Sequence, residues 1–234
     1  MKDETAINER VEQLFKEFMF DEQATEWVRD RTKTVERMLS RYQCAIYEIE
    51  TKFNVLNTEF SLDHDRNPIN SIHSRLKTFD SIVEKIQRRG LPQTFESIEE
   101  NLHDIAGVRV VCTFPEDIYH LRNALLKQDD IYLIEEKDYV KNPKPNGYRS
   151  LHLIVKVPVF LAAEKHLMKV EIQMRTIAMN FWASLEHQIR YKKDIEFTEE
   201  MANELKECAE LSATLDKRMD TLRKATIERT APSI

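Results

Sequence analysis

Residues 170–178 read V-E-I-Q-M-R-T-I-A, and this alternation decides how the middle of the chain folds. Val170, Ile172 and Met174 are apolar, while Glu171, Gln173 and Arg175 between them are polar. Successive side chains of a β-strand point to opposite faces, so the pattern predicts a strand with one apolar and one polar face. A surface strand can fill its outer face with interchangeable polar residues. A carboxylate, an amide and a guanidinium in one row suit a site that handles a metal and phosphates. The row also fits an amphipathic strand with a solvated face, and the other segments have to decide between the two.

Upstream of this stretch, further strands are expected. Residues 108–114 form a continuous β-branched-rich run suited to a buried strand, and residues 131–140 a second. Pro115 opens a short helix between them, through Ile118, Leu121 and Leu125. K-N-P-K-P-N-G at 141–147 is the clearest loop. Residues 148–157 read as a third strand, with Tyr148, Ser150 and His152 on one face, and 167–175 as the fourth.

Helices are expected on both sides of this region. Val35, Met38, Tyr42, Ile46, Ile49, Phe53, Leu56 and Phe60 recur at steps of three and four on one long helix. A shorter helix with Val11, Leu14, Phe15 and Phe18 precedes it. D-H-D-R-N-P, ending at Pro68, reads as a turn. A second helix is expected to bury Ile72, Leu76, Phe79, Val83 and Ile86 and to end at Gly90 and Pro92. On that helix Lys77, Lys85 and Arg88 fall within roughly 80° of one another, away from the stripe. Such a face is either solvated or gathered for an anion. From Ala178 the chain is helical again. Met201, Leu205, Cys208, Ser212, Leu215, Met219 and Leu222 form a heptad seam, to pack on the long N-terminal helix or on a second subunit. The fold class is α/β (α+β). A helical extension spans residues 1–66, a core with a mixed sheet of about four to five strands spans 67–193, and a second helical extension spans 194–234.

Composition narrows the function. The 234 residues carry a formal net charge of −6, which argues against a protein built mainly to coat nucleic acid. Hydrophobic residues at 41% supply a core, while 32% charged residues and only 3 glycines imply much exposed helix. No apolar run approaches the length of about 20 residues that spans a bilayer, and the N-terminus has no signal architecture. Cys44, Cys112 and Cys208 are odd in number and form no CxxC pair, so reduced thiols and a cytoplasmic location are expected. The histidines show no zinc-ligand spacing.

The remaining polar residues outline a chemistry. Asp104, before the strand at 108–114, and Glu171 are a pair of hard oxygen ligands suited to Mg²⁺, with Gly107 allowing close backbone approach. Asp104 also fits a turn, and Arg109 a surface ion pair. Arg75, Lys77, Lys85, Arg88, Lys144, Arg149 and Arg175 exceed the needs of one small metal site and suit several phosphates. The planar guanidinium of Arg109 and the ring of Tyr148 can each stack on a base. Together they suggest two nucleotides flanking a magnesium ion.

The ordered set S-R-L-K (74–77), H-D-I-A-G-V-R (103–109), N-G-Y-R-S-L-H (146–152), V-E-I-Q-M-R-T (170–176) and A-M-N-F-W-A-S-L-E-H (178–187) resembles the synthetase domain of alarmone synthetases. More narrowly, it resembles the single-domain small alarmone synthetases of bacteria. The resemblance covers about residues 60–190. It implies a nucleotidyltransferase-like fold and a GTP/GDP pyrophosphokinase, which moves the β,γ-pyrophosphate of ATP to the ribose 3′-hydroxyl of GDP or GTP. The products are (p)ppGpp and AMP, in stringent-response signalling. By matching motif, Asp104 and Glu171 would hold Mg²⁺, with Glu171 also accepting the 3′-hydroxyl proton. Arg75, Lys77, Lys85 and Arg88 would grip the ATP phosphates, and Arg109 would stack on adenine. Tyr148 would stack on guanine, and Lys144, Asn146, His152, Gln173, Arg175 and Asn180 would surround the acceptor nucleotide. The resemblance also implies a homotetramer with no membrane or nucleic-acid requirement. The H-D dipeptide 103–104 belongs here to the synthetase motif, so no hydrolase activity is expected.

Two other readings compete. A non-catalytic nucleotide- or RNA-binding regulator could use the same pocket, although a pure sensor has no need of both carboxylates. A helical interaction protein would make the central polar faces incidental.

Overall fold

The computed structural model describes residues 22–64, 66–190 and 197–230. The chain divides into two compact units, Met1–Arg41 and Tyr42–Ile234. In the first, the described residues are the opening turns of helix α1 (Glu22–His64). The shorter helix expected around Val11, Leu14, Phe15 and Phe18 lies outside the described residues.

The second unit carries a mixed five-stranded sheet. Its strands are β1 (Ile69–Leu76), β2 (Ala106–Cys112), β3 (Tyr132–Asp138), β4 (Leu151–Phe160) and β5 (Lys165–Thr176), in the order β1-β2-β5-β4-β3. Only the β2–β5 pairing is parallel. The predicted alternation of β5 holds. Val170, Ile172 and Met174 are fully buried, in rows with Val108 and Leu153 and with Val110 and Leu151. Helices α4 (Pro115–Leu126) and α5 (Ile177–Arg190) contact β2 and β5. Each buried aliphatic side chain contributes about 2 kcal/mol before conformational entropy is counted.

One expected helix is shorter than its apolar spacing implied. Residues 69–76 are not its first turns but the edge strand β1, and α2 is confined to Phe79–Arg88. Ile72 and Leu76 satisfy a strand period as well as a helical one, and they pair with Val110 and Ala106. Thr78 then starts α2 by accepting from the Ser81 amide at 3.4 Å, and Ile82 and Ile86, rather than Val83, are buried. Gly90, at φ 64°, ends it as expected, with the Leu91 amide donating to the Ile86 carbonyl at 3.1 Å. Lys77 therefore follows a strand and does not share a helix face with Lys85 and Arg88.

Elsewhere the correspondence is closer. Tyr42, Ile46, Ile49, Phe53 and Leu56 of α1 are buried at the predicted spacing. Helix α1 runs through His64, so the expected turn begins after it. The strand expected at residues 148–157, β4, starts at Leu151, later than expected. Ser150 is fully buried, its hydroxyl donating to the Met174 carbonyl at 3.2 Å, and does not join Tyr148 on an open face. The short helix α3 (Phe95–Asn101) completes the approach to β2.

The last helix, α6 (Glu199–Thr230), packs on α5. Trp182 Nε1 donates to the Leu205 carbonyl at 2.7 Å, and Ser212 Oγ to the Ala178 carbonyl at 2.9 Å. The expected heptad seam is thereby divided. Leu205 and Ser212 face α5, whereas Met201, Cys208, Leu215, Met219 and Leu222 are exposed.

A clasp closes the unit around Phe114. Arg66 forms a bidentate pair with Asp117, at 2.8 and 2.6 Å, and Asp117 also accepts from the Phe114 amide at 3.0 Å. Arg66 and, from α6, Arg223 lie over the Phe114 ring, 5.3 and 4.9 Å from its centroid. Arg223 also pairs with Glu116 at 2.6 Å. Asp117 is 1% exposed, so its removal leaves a guanidinium and an amide unsatisfied. Asp117→Ala is expected to cost about 3 kcal/mol of unfolding free energy in a urea titration. Lys137→Ala, at an exposed pair with Glu135, is expected to change it by less than about 0.5 kcal/mol.

Candidate active site

The register of the sheet assembles the site. His73, Arg109, Gln173, His152 and Lys137 stand in one row across all five strands, and Arg75, Gly107 and Glu171 lie in the next row. The parallel pairing of β2 with β5 sets the donors of one strand beside those of the other. A cleft of about 370 Å³ opens over these rows, lined by His73, Ser74, Arg75, Lys77, Asp104, Gly107, Arg109, Glu171 and Gln173. Gly107 was expected to permit close backbone approach. A Cβ there would lie 3.6 Å from the Arg75 carbonyl, an ordinary contact. What the glycine does is leave open the space between Arg75 and Glu171.

Asp104 is clamped by two cations. Lys77 Nζ and Lys85 Nζ both donate to its Oδ2, at 2.6 and 2.7 Å. Burial alone would push this carboxyl up, but the two ammonium groups outweigh it and hold it below the usual carboxylate range. Its other oxygen, Oδ1, is buried without a protein partner. Glu171 behaves similarly. Burial raises it, while the His152 imidazole, 3.6 Å away, and the Gln173 amide, donating at 3.1 Å, bring it down. Both carboxylates are therefore ionised at neutral pH. Arg109 is pushed down from the usual guanidinium value by burial and by Arg175 and Arg75, and its Nε has no protein partner.

On the other side of Glu171 a second cluster forms around Tyr148. Its hydroxyl meets His152 Nε2 at 2.8 Å and accepts from Arg175 Nη2 at 2.6 Å. Arg175 also donates to Gln173 Oε1 at 2.8 Å and is only 5% exposed. Lys144 Nζ lies 5.0 Å from the Tyr148 ring centroid and 4.7 Å from that of Tyr139. The loop expected at residues 141–147 is laced by its own hydrogen bonds. The Gly147 amide donates to the Lys144 carbonyl at 2.8 Å, and the Tyr148 amide to Asn146 Oδ1 at 3.2 Å.

The structure thus brings Arg75, Lys77, Lys85, Asp104, Arg109, Glu171 and Gln173 together on one side, and Lys144, Asn146, Tyr148, His152 and Arg175 on the other. Arg88 ends α2 exposed, outside the residues lining the cleft. Asn180 sits on α5 with Oδ1 buried and unpartnered. Three neighbours were not anticipated. His73 lines the cleft, and Tyr139 stands edge-on to Tyr148 and His152. Glu186 of α5 accepts from Asn146 Nδ2 at 3.4 Å. Only the alternation of β1, once seen as a strand, points to His73. Among the described residues no group of three or more His, Cys, Asp or Glu side chains is arranged to hold a metal ion.

Residues 74–196 match the model of the region found in RelA and SpoT proteins. The chain belongs to the RelA/SpoT family. It is similar to the GTP pyrophosphokinase YwaC of Bacillus subtilis (strain 168), with 46% identity over 183 residues, 78% of this chain and 87% of that one. Among solved structures, small alarmone synthetase 2 from Bacillus subtilis superimposes with a TM-score of 0.72 and 44% identity, covering 80% of this chain and 97% of that one. Small alarmone synthetase 1 from the same organism, bound to its product pppGpp, gives 0.75 and 35%, covering 82% and 98%. The mixed sheet of this RelA/SpoT chain is the fold of those structures. Because ligands of the folded state stabilise it, saturating ATP or GDP with Mg²⁺ is expected to raise its thermal midpoint by several degrees in differential scanning fluorimetry. Asp104→Ala should reduce the rise seen with ATP.

Proposed function

We propose that this protein transfers the β,γ-pyrophosphate of ATP to the 3′-hydroxyl of GDP or GTP, releasing AMP and forming a guanosine tetra- or pentaphosphate. The observation that carries this reading is the placing of two ionised carboxylates, Asp104 and Glu171, in a cationic cleft whose Glu171 side borders a separate aromatic cluster. That division suits a donor and an acceptor nucleotide meeting at Glu171. The family relationship favours synthesis over a non-catalytic regulator.

In this reading Arg75, Lys77, Lys85 and Arg88 bind the ATP phosphates, and Arg109 stacks on adenine. Tyr148 stacks on guanine, with Lys144, Asn146, His152, Gln173, Arg175 and Asn180 around the acceptor. Asp104 and Glu171 fit Mg²⁺, since ionised carboxylates and a buried, unpartnered Asp104 oxygen are what a hard cation takes. When bound, the ion neutralises charge on the transferring phosphates. The 3′-oxygen attacks the β-phosphorus, the bond from that phosphorus to the oxygen bridging the α- and β-phosphates breaks, and AMP leaves carrying the bridging oxygen. Glu171 accepts the hydroxyl proton. Phosphoryl-type transfer asks little covalent chemistry of the protein, so positioning and charge do most of the catalysis.

The test is incubation with ATP, Mg²⁺ and GDP or GTP, with nucleotides resolved by anion-exchange chromatography. Stoichiometric AMP and a guanosine polyphosphate are expected. Glu171→Gln should lower kcat at least about a thousandfold with the circular dichroism spectrum unchanged. Nucleotide binding without AMP from the wild type would favour the regulator.

The proposed setting is the cytoplasm. Among the described residues no helix is long and apolar enough to cross a membrane. A homotetramer is proposed on the apolar stripes that α5 and α6 leave uncovered: Ile177, Phe181, Leu185 and Ile189 on one, Leu211, Leu215, Met219 and Leu222 on the other. Light scattering at micromolar concentration should give four times the monomer mass, and a monomer there would remove this part of the reading.

A further inference from the structure

The loop that carries Tyr148 leans on α6, a helix beyond the segment matched by the family model. Gly147 has φ 87°, and a Cβ built on it would come within 2.5 Å of the Ala209 Cβ. Ala209 is buried with Trp182 and Ala183, and Tyr148 and Leu205 pack on the same cluster. Next along the loop, Arg149 Nη2 donates to Glu210 Oε2 at 3.3 Å. The crevice left between loop and helix has a volume of about 10 Å³, room for no more than one water. A displacement of one wall therefore has to move the other.

The helix itself is anchored where the acceptor side is built. Thr176, which follows Arg175, donates to Asp216 of α6 and accepts from the Met179 amide at 3.1 Å, so one hydroxyl joins β5, α5 and α6. Ser212 and Trp182 add the bonds already described. The donor side is separate. Arg75, Lys77, Lys85, Asp104 and Arg109 come from β1, α2, β2 and their connections, and among the described residues no hydrogen bond or ion pair joins them to α6.

We propose that Ala209 is a positioning residue for the acceptor nucleotide. Its methyl group sets how far the Gly147–Tyr148 backbone stands from α6, and so where the Tyr148 ring is held. This rests on the reading of Tyr148 as the platform for the guanine base. A larger side chain at 209 meets Gly147 with no free volume to enter and drives the ring off that position, while the ATP cleft keeps its shape.

The test is steady-state kinetics with each substrate varied in turn. Ala209→Leu is expected to raise the KM for GDP and GTP by about tenfold or more. The KM for ATP, and kcat at saturating acceptor, should stay within about twofold of wild type. Ala209→Ser, close to the native size, should restore the acceptor KM. A folded Ala209→Leu variant with unchanged acceptor KM, or with both KM values raised alike, overturns the proposal. If Ala209→Leu does not fold, the smaller Ala209→Val decides by the same criterion. Tyr148→Ala separates the two levels. If it leaves the acceptor KM unchanged, the guanine-platform reading fails. If it raises that KM and Ala209→Leu does not, the positioning proposal alone fails.

Discussion

The parallel pairing of β2 with β5 is the constraint on which the site depends. In a sheet whose other pairings are antiparallel, it requires the chain to leave β2, build α4, β3 and β4, and return as the central strand. The return sets Gly107 beside Glu171 and Arg109 beside Gln173. Asp104, three residues upstream of Gly107, is thereby carried to the same end of the sheet as Glu171. Two carboxylates far apart in sequence thus reach one cleft through backbone hydrogen bonds. The apolar backs of the same strands, Val108, Val110, Ile172 and Met174, hold the register, because a slip of one residue would turn every donor into the core.

Electrostatics on the two faces of Glu171 differ in kind. Toward the cleft, Asp104 is neutralised by two ammonium groups carried on long aliphatic stems. Toward Tyr148, the guanidinium of Arg175 is buried and held by Gln173 and the tyrosine hydroxyl, and so is fixed in place. The chain as a whole is acidic, yet its cations gather where its strands converge. Net charge says little about such a local field.

What was legible in the sequence follows from how local each signal is. The alternation of β5 could be read because a strand with one face in the core repeats every second residue, whatever surrounds it. The cations could be named because side-chain identity carries their chemistry. Which element bore Lys77 was not legible, since Ile72 and Leu76 satisfy both periods and an edge strand is defined by a partner thirty or more residues away. The last helix was plain, but not its inward face. Ala209 is small because a glycine of a distant loop stands against it, and nothing near it in the chain says so. Glu186 was missed for the same reason: an acid on a helix looks solvated until its partner, Asn146, is seen.

The clasp at Phe114 has a bearing on where this protein can be cut. One ring, immediately after β2, is covered by a guanidinium from the segment entering β1 and by another from near the far end of α6. The 74–196 segment that the family shares contains that ring but neither of its covers, and it contains Trp182 without Leu205 or Ala209. Expressed by itself, such a fragment would expose two aromatic side chains and an uncompensated Asp117 carboxylate, a recipe for aggregation. The minimal autonomous folding piece is therefore larger than the minimal recognisable one, and its boundaries are set by packing outside the shared motifs.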